Sequence, residues 1–169
     1  MKLKHISLIL SVSILSIGAT AQSNKSLGSP ENFVKNLYAA ISFKPGVPID
    51  WDNVEGMFLD EAVITLRASK EKVSVFTVGQ WVQDFKDFIV GRELENIGFN
   101  ESIAGIKAFE FGDMAHVLVL YEPRIPGIDS DRQGVDSIHL IRQEGRWKIV
   151  SILNELPTAE RPVPDILKN

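Results

Sequence analysis

The sequence contains no cysteine. Disulfide bonds, thiolate metal ligands and cysteine nucleophiles are therefore excluded together. Long basic runs are also missing, and the 22 acidic residues outnumber the 18 lysines and arginines. An acidic chain without a basic patch is a poor nucleic-acid binder, because phosphate neutralisation supplies most of that affinity. We therefore expect no nucleic-acid partner.

The motifs of several common enzyme classes are missing as well. The chain has no G-x-S-x-G, H-E-x-x-H, P-loop, G-x-G-x-x-G or calcium-loop pattern. Serine hydrolase, zinc protease and nucleotide-binding functions therefore lose their usual support. We expect no cofactor and no metal ion.

The first 21 residues have the three regions of a signal peptide. Residues 1–5 are basic, residues 6–18 are apolar, and Ala19-Thr20-Ala21 matches the small-x-small pattern that signal peptidase cleaves. The apolar run is shorter than the roughly 20 residues that span a bilayer, so we expect no stable membrane anchor. Cleavage after Ala21 predicts an exported protein, either periplasmic or secreted.

The remaining chain has the size of one domain. Removal of 21 residues from 169 leaves 148, which is the usual length of a single domain. Lys2 and Lys4 are removed with the leader, so 16 basic and 22 acidic residues give a net charge of −6. Residues 22–28 are predicted to be a flexible arm, and residues 29–169 the domain.

Helical signals dominate the first half of this domain. Ser29-Pro30 predicts a helix start, with Ser as N-cap and Pro in the first turn. Asp50 can cap a short second helix, and Thr77 with Gln80 forms a capping-box pattern before a third. Residues 62–66 are rich in β-branched side chains and predict a strand before that third helix.

The second half consists mainly of predicted strands. Three apolar runs between residues 114 and 153 are separated by turn signals. Glu144-Gly145 predicts a two-residue hairpin, which would pair Arg142 with Trp147. The order of elements predicts the α+β class, with about three helices packed on a curved sheet that is mixed or antiparallel.

The C-terminal half also carries a series of short motifs. They are, in chain order, Gly98-Phe99-x-Glu101, Phe111-Gly112-x-x-Ala115-His116-Val117, Tyr121-Glu122, Gly134-Val135-Asp136-Ser137-Ile138-x-Leu140, Gly145-Arg146-Trp147-x-Ile149-x-Ser151, Glu155 and Pro162-x-Pro164. This series resembles the nuclear transport factor 2-like superfamily, which includes SnoaL-like proteins and ketosteroid isomerase. The resemblance covers residues 29–167 in element order and 98–165 in motifs.

What the resemblance implies is a cone-shaped, cystatin-like fold. Such a fold would hold a pocket between its helices and its sheet, and it would form homodimers through the sheet. The catalytic carboxylate and the oxyanion-hole tyrosine of ketosteroid isomerase match no position of this chain residue by residue. The isomerase chemistry is therefore not carried over, since a fold alone does not define a function.

Three side chains are candidate catalytic groups. His116 and His139 lie in apolar strands, and histidine titrates near neutral pH. Asp136 stands near the start of an apolar strand, where burial in a cavity would raise its pKa. Each has an ordinary structural alternative: the histidines could bond to backbone or face a dimer partner, and Asp136 could be solvated. The strand register decides between these alternatives, and it stays open.

The candidate ligand-binding residues are mainly aromatic. They are Tyr38, Trp51, Trp81 and Phe85 from the helices, with His116 and Asp136 from the strands. Ligand pockets are mostly apolar with a few polar groups, which this set provides. Each aromatic residue could equally be an ordinary core residue.

Three functions remain open. The chain could be an exported protein that binds a small, largely apolar molecule without changing it. It could be a cofactor-free isomerase or dehydratase that uses Asp136 with His116 or His139. It could also be an interaction module whose sheet forms a homodimer.

The exported protein should begin at Gln22, because Ala19 and Ala21 are the small pair placed just after the apolar run. Mass spectrometry of protein recovered from outside the cytoplasm checks this start. Recovery of material that still carries Met1 or Lys2 would contradict both the cleavage site and the export that depends on it.

Overall fold

The computed structural model describes residues 28–67, 69, 71–128 and 132–168. The predicted signal peptide and nearly all of the predicted arm lie outside the described residues. Along the described chain the elements are α1 (Pro30–Ala40), α2 (Trp51–Glu55), β1 (Phe58–Arg67), β2 (Val73–Thr77), α3 (Val78–Gly91), β3 (Asn100–Phe111), β4 (Met114–Arg124), β5 (Gly134–Gln143) and β6 (Arg146–Glu155), with short 3-10 turns at Leu94–Asn96 and Asp165–Leu167. None of the helices in these ranges is long and apolar enough to cross a membrane.

The helices begin where the capping residues predict. The Ser29 hydroxyl accepts a hydrogen bond from the Asn32 backbone N–H at 3.2 Å, and Asp50 caps α2 in the same way. At α3 the Gln80 N–H donates to the Thr77 hydroxyl, while the Thr77 N–H donates to the Gln80 side chain. These bonds satisfy backbone N–H groups that have no partner inside the helix.

A single six-stranded sheet in the order β2-β1-β6-β5-β4-β3 supports the helices. β1 and β6 are parallel, and all other neighbours are antiparallel. α1 packs on β3 and β4, and α3 packs on β1 and β2. We refer to this helix-covered side as the inner face and to the opposite side as the outer face. The predicted α+β class with a mixed sheet is confirmed.

The short strand β2 was not predicted from the sequence. It has five residues, lies at the sheet edge and pairs only with β1. Five residues give too little alternation of apolar and polar side chains to predict a strand, so β2 is recognised only from its pairing with β1.

The hairpin between β5 and β6 has the predicted two-residue turn. Glu144 and Gly145 have φ values of 51° and 76°, as a type I′ turn requires at both positions. Arg142 pairs with Trp147, as expected from that turn. The pairing then shifts by one residue between His139 and Leu140, so the turn alone does not determine the partners farther along.

A second irregularity divides β3. Its pairing with β4 shifts between Ile103 and Gly105. One inserted residue reverses which side chains face inward. Ile103 therefore packs against the core, whereas Phe109 and Phe111 are 50% and 78% exposed on the outer face.

The core lies between the inner face and the two long helices. Its fully buried members are Val34, Val54, Ile64, Val117, Val119, Ile138 and Ile149. They come from α1, α2, β1, β4, β5 and β6, so burial of these side chains joins distant parts of the chain.

The end of the described chain is anchored at Gly105. Leu167 is 2% exposed, and its carbonyl oxygen would lie 2.1 Å from a Cβ atom at position 105. Only glycine therefore allows the C-terminal segment to lie against β3 in this way.

We predict that Gly105→Ala lowers the free energy of unfolding by about 1–3 kcal/mol, because the added methyl group must displace Leu167. Urea denaturation measures the loss. Gly79→Ala is the matched control, since a Cβ atom there meets nothing within 4 Å. Equal effects of the two substitutions would show that close approach at Gly105 has no energetic consequence.

Candidate functional site

A cavity of about 540 Å³ lies between the inner face and the helices. α3 lines it with Trp81, Phe85 and Phe88, which share one helix face. α1 contributes Tyr38, and β1 contributes Ile64. The part of the wall that α3 and Ile64 form is therefore apolar and aromatic, because it is a continuation of the core.

Five of the polar side chains in the cavity wall lie on neighbouring elements around Asp136. We call them the polar cluster: Tyr38, Glu101, Tyr121, Asp136 and Asn154. They come from α1, β3, β4, β5 and β6. Each strand presents alternate side chains to the inner face, and the pairing of the strands places these members beside one another.

Asp136 is the centre of the polar cluster. The Tyr38 hydroxyl donates to Asp136 Oδ2 at 2.6 Å, and Asn154 Nδ2 donates to Asp136 Oδ1 at 2.7 Å. Burial raises the pKa of Asp136 to about 6, although both hydrogen bonds act in the opposite direction. At neutral pH the carboxyl group is therefore mostly ionised and still close to its titration range.

Glu101 has a different environment. Burial raises the pKa of Glu101 to about 8, and the negative charge of Asp136 acts in the same direction. No side chain among the described residues forms a hydrogen bond with its carboxyl group, whereas Asp136 has two such partners. Glu101 is therefore protonated at neutral pH, and the site combines a carboxylate with a carboxylic acid.

Tyr121 adds a hydroxyl group beside these carboxyls. Its oxygen accepts a hydrogen bond from Asn154 Nδ2 at 3.0 Å, so its own proton can be donated to a ligand. Burial and the charge of Asp136 raise the pKa of Tyr121 well above its usual value. Gly134 positions the ring, because a Cβ atom there would lie 2.3 Å from the Tyr121 side chain.

Basic side chains also line the cavity. They are Arg67, Lys72 and Arg132. Arg67 Nη2 bonds to Glu155 Oε2 at 2.9 Å, and its Nε bonds to Glu155 Oε1 at 3.1 Å. These contacts join the ends of β1 and β6.

Four of the six residues that the sequence predicts to line the pocket lie together in the structure. Tyr38, Trp81, Phe85 and Asp136 all line the cavity. Trp51 lies apart from it: its ring stacks edge-on against Phe85 at 5.7 Å and borders a separate surface groove. Trp51 therefore supports the cavity wall from behind.

The two histidines lie on the outer face. His116 Nε2 is 2.9 Å from Ser137 Oγ, and His139 Nδ1 is 3.0 Å from Ser151 Oγ. The two rings are 4.9 Å apart between centroids, and burial, with His139 nearby, lowers the pKa of His116. Asp136 faces inward, so the expected combination of Asp136 with either histidine does not occur in one cavity.

Sequence reasoning did not nominate Glu101, Tyr121 or Asn154. Glu101 and Tyr121 stood in the recognised motifs, but nothing marked them as site residues. The two-residue turn by itself would place Leu153 opposite Asp136. The shift between His139 and Leu140 places Asn154 there instead, and no local signal predicts that shift.

Within the described ranges, no group of three His, Asp or Glu side chains is arranged to hold a metal ion. What the polar cluster can do is exchange protons. It offers one carboxylate, one carboxylic acid and two phenols to the same cavity. The molecule is thus an α+β protein whose cavity has an aromatic wall and a cluster of titratable groups.

No protein-family model and no curated protein matches the sequence. Solved structures do match the fold. An NTF-2 like protein of unknown function from Pseudomonas aeruginosa is 13% identical and superposes with a TM-score of 0.60, covering 76% of this chain and 98% of that one. A proposed dehydratase of the NTF2-like family from Streptomyces avermitilis is 15% identical, with a TM-score of 0.57 and coverage of 76% and 94%.

A third similar structure is a proposed scytalone dehydratase from Novosphingobium aromaticivorans. It is 8% identical, with a TM-score of 0.52 and coverage of 76% of this chain and 81% of that one. These likenesses confirm the nuclear transport factor 2-like fold that the sequence motifs resemble. At such low identity they establish the fold alone.

We predict that Glu101→Gln makes the protein more stable at high pH. A carboxyl group with a raised folded-state pKa loses stability as the pH rises from its unfolded value of about 4.5 to about 8. The amide stays neutral, so the two proteins should be similar near pH 4 and differ by a few kcal/mol above pH 8. Urea denaturation across this range measures the difference.

Glu61→Gln, at an exposed position of β1, controls for the loss of one negative charge from an acidic chain. A pH-independent difference between wild type and Glu101→Gln would mean that Glu101 is not buried in its protonated form.

Proposed function

We propose that this protein is a cofactor-independent enzyme that transfers protons on a small, largely apolar organic molecule. The observation that supports it is the convergence of Asp136, Glu101 and Tyr121 on one apolar cavity. The reaction would be an isomerisation or a dehydration, since both need a base for a C–H proton and an acid for an oxygen atom.

Asp136 is the proposed base. Tyr38 and Asn154 hold one hydrogen bond to each of its oxygens, which leaves lone pairs on the carboxylate for a substrate proton. With a pKa raised to about 6, Asp136 is a stronger base toward a C–H proton than an exposed aspartate would be. Tyr38 and Asn154 are positioning residues, because they act through Asp136.

Glu101 and Tyr121 are the proposed groups on the oxygen side. In a dehydration, Asp136 takes a proton from carbon, a C=C bond forms, and the C–O bond breaks. The leaving hydroxyl takes the proton of Glu101 and departs as water. In an isomerisation the same donors would stabilise an enolate oxygen. The aromatic wall of α3 would bind the apolar body of the substrate.

A second candidate is binding without turnover. Its support is the wall of Trp81, Phe85 and Phe88, which would hold an apolar molecule whether or not a proton moves. The two functions differ in one respect: an enzyme must exchange or transfer substrate protons, and a binding protein need not.

Export of the protein and a homodimer through the outer face remain proposals. The leader pattern of residues 1–21 supports export. The exposed apolar side chains of Phe109, Phe111 and Met114 on the sheet support the homodimer.

The predicted activity has a bell-shaped pH dependence. It should rise as Asp136 ionises near pH 6 and fall as Glu101 loses its proton near pH 8. The two groups interact, so these limits belong to the pair. Deuterium incorporation from D₂O into a panel of small ketones and β-hydroxy ketones, followed by NMR, measures proton transfer and does not require the natural substrate.

Asp136→Asn should lower this exchange by about 100- to 10,000-fold, while binding of the same compounds, measured by thermal shift, is retained. Ser137→Ala changes the next residue, whose side chain contacts His116 on the outer face, and is the matched control. Compounds that bind without any exchange would favour the binding function. Exchange that survives Asp136→Asn would exclude Asp136 as the base.

A further inference from the structure

A second cavity reaches the polar cluster from another side. It has a volume of about 480 Å³ and lies between α1 and β3. Tyr38 and Glu101 line both this cavity and the main one. Glu101 is therefore placed in the wall that separates the two.

Small residues of both elements border the second cavity. Ala39 and Ser42 stand on the α1 side, and Ala104 and Gly105 stand on β3. The register shift of β3 falls between Ile103 and Gly105, so the strand is irregular where the helix crosses it.

The backbone of Glu101 is held in place beside this cavity. Its N–H donates to the Ser42 hydroxyl at 3.0 Å, and that hydroxyl donates to the Tyr38 carbonyl at 2.7 Å. The carboxyl group itself has no hydrogen-bond partner among the described residues. Glu101 is half-buried, so water or a ligand can reach its carboxyl group and supply the missing hydrogen bonds.

The two cavities differ in whether they can keep water beside the Glu101 carboxyl group while a substrate is bound. An apolar substrate in the main cavity would displace water there. The second cavity is bordered by Lys35, Asn100 and Ser42, and such polar groups retain water. Hydration of Glu101 from this side would survive occupation of the main cavity.

We infer that the second cavity is a solvent port, through which the Glu101 carboxyl group exchanges protons and water with bulk solvent independently of the main cavity. The groups around this carboxyl are Asp136, Tyr121 and Tyr38 toward the main cavity, and Lys35 toward the port.

The use of the port rests on the proposed function. A dehydration leaves Glu101 without its proton and produces one water molecule. The port returns a proton to Glu101 and gives this water a way out while the apolar product still fills the main cavity. Asp136 keeps the proton taken from carbon and releases it to solvent once the product has left the main cavity. The port itself, however, is a property of the resting protein and can be tested without any substrate.

The absence of native cysteine allows a direct accessibility test. In Glu101→Cys the single thiol is labelled with a small methanethiosulfonate reagent, and the rate is followed by mass spectrometry. Ala39→Phe, at an exposed position of α1 that borders the port, should slow labelling about tenfold, because thiol exchange depends on access.

Asn36→Phe is the matched control. It adds the same side chain at another exposed position of α1 that lines neither cavity. Ser74→Trp narrows the main cavity from β2 and should leave labelling through the port largely intact. Labelling that is blocked by Ser74→Trp and unaffected by Ala39→Phe would overturn the port.

If Glu101→Cys does not fold, the test uses Glu101 itself. Its titration is followed by the side-chain carboxyl carbon signal in NMR. Ala39→Phe should raise the midpoint relative to Asn36→Phe, because it removes water from the carboxyl group. Identical midpoints in the two variants would also overturn the port. Neither experiment involves turnover, so a protein that catalyses no reaction could still show the port.

Discussion

The alternation of side chains along the strands is the constraint on which the site depends. Along β4, β5 and β6, one side chain points to the helix side and the next points to the outer face. Tyr121, Asp136 and Asn154 are thereby collected in the cavity. The same alternation sends His116 and His139 outward, where their rings lie 4.9 Å apart. A one-residue change of register would exchange the two sets and remove Tyr121, Asp136 and Asn154 from the cavity.

The helices turn this collection of side chains into a chemical site, because they exclude water from one face of the sheet. Burial raises the pKa of Asp136 to about 6 and that of Glu101 to about 8, and the difference follows from their partners. Asp136 receives hydrogen bonds from Tyr38 and Asn154, which favour its charged form, whereas Glu101 receives none from the described side chains and lies near the charge of Asp136. Two carboxyl groups in one cavity thus have different protonation states at neutral pH.

Proteins with different proposed activities share this fold. The three similar structures are 8–15% identical to this chain. The function must therefore be argued from the site. In this chain the site combines an aromatic wall with a polar cluster of titratable groups. The second cavity borders Glu101 from the side of α1 and β3.

Elements whose signals are local could be predicted from the sequence. Caps at Ser29, Asp50 and Thr77 and the Glu144-Gly145 turn each depend on neighbouring residues, and all of them could be predicted. The tertiary structure decided what depends on register and on distant contacts. The shift between His139 and Leu140 placed Asn154 opposite Asp136, and Tyr38 reaches Asp136 across 98 positions of the chain. The pKa of Glu101 is raised because folding surrounds its carboxyl group with protein. No local sequence pattern predicts that burial.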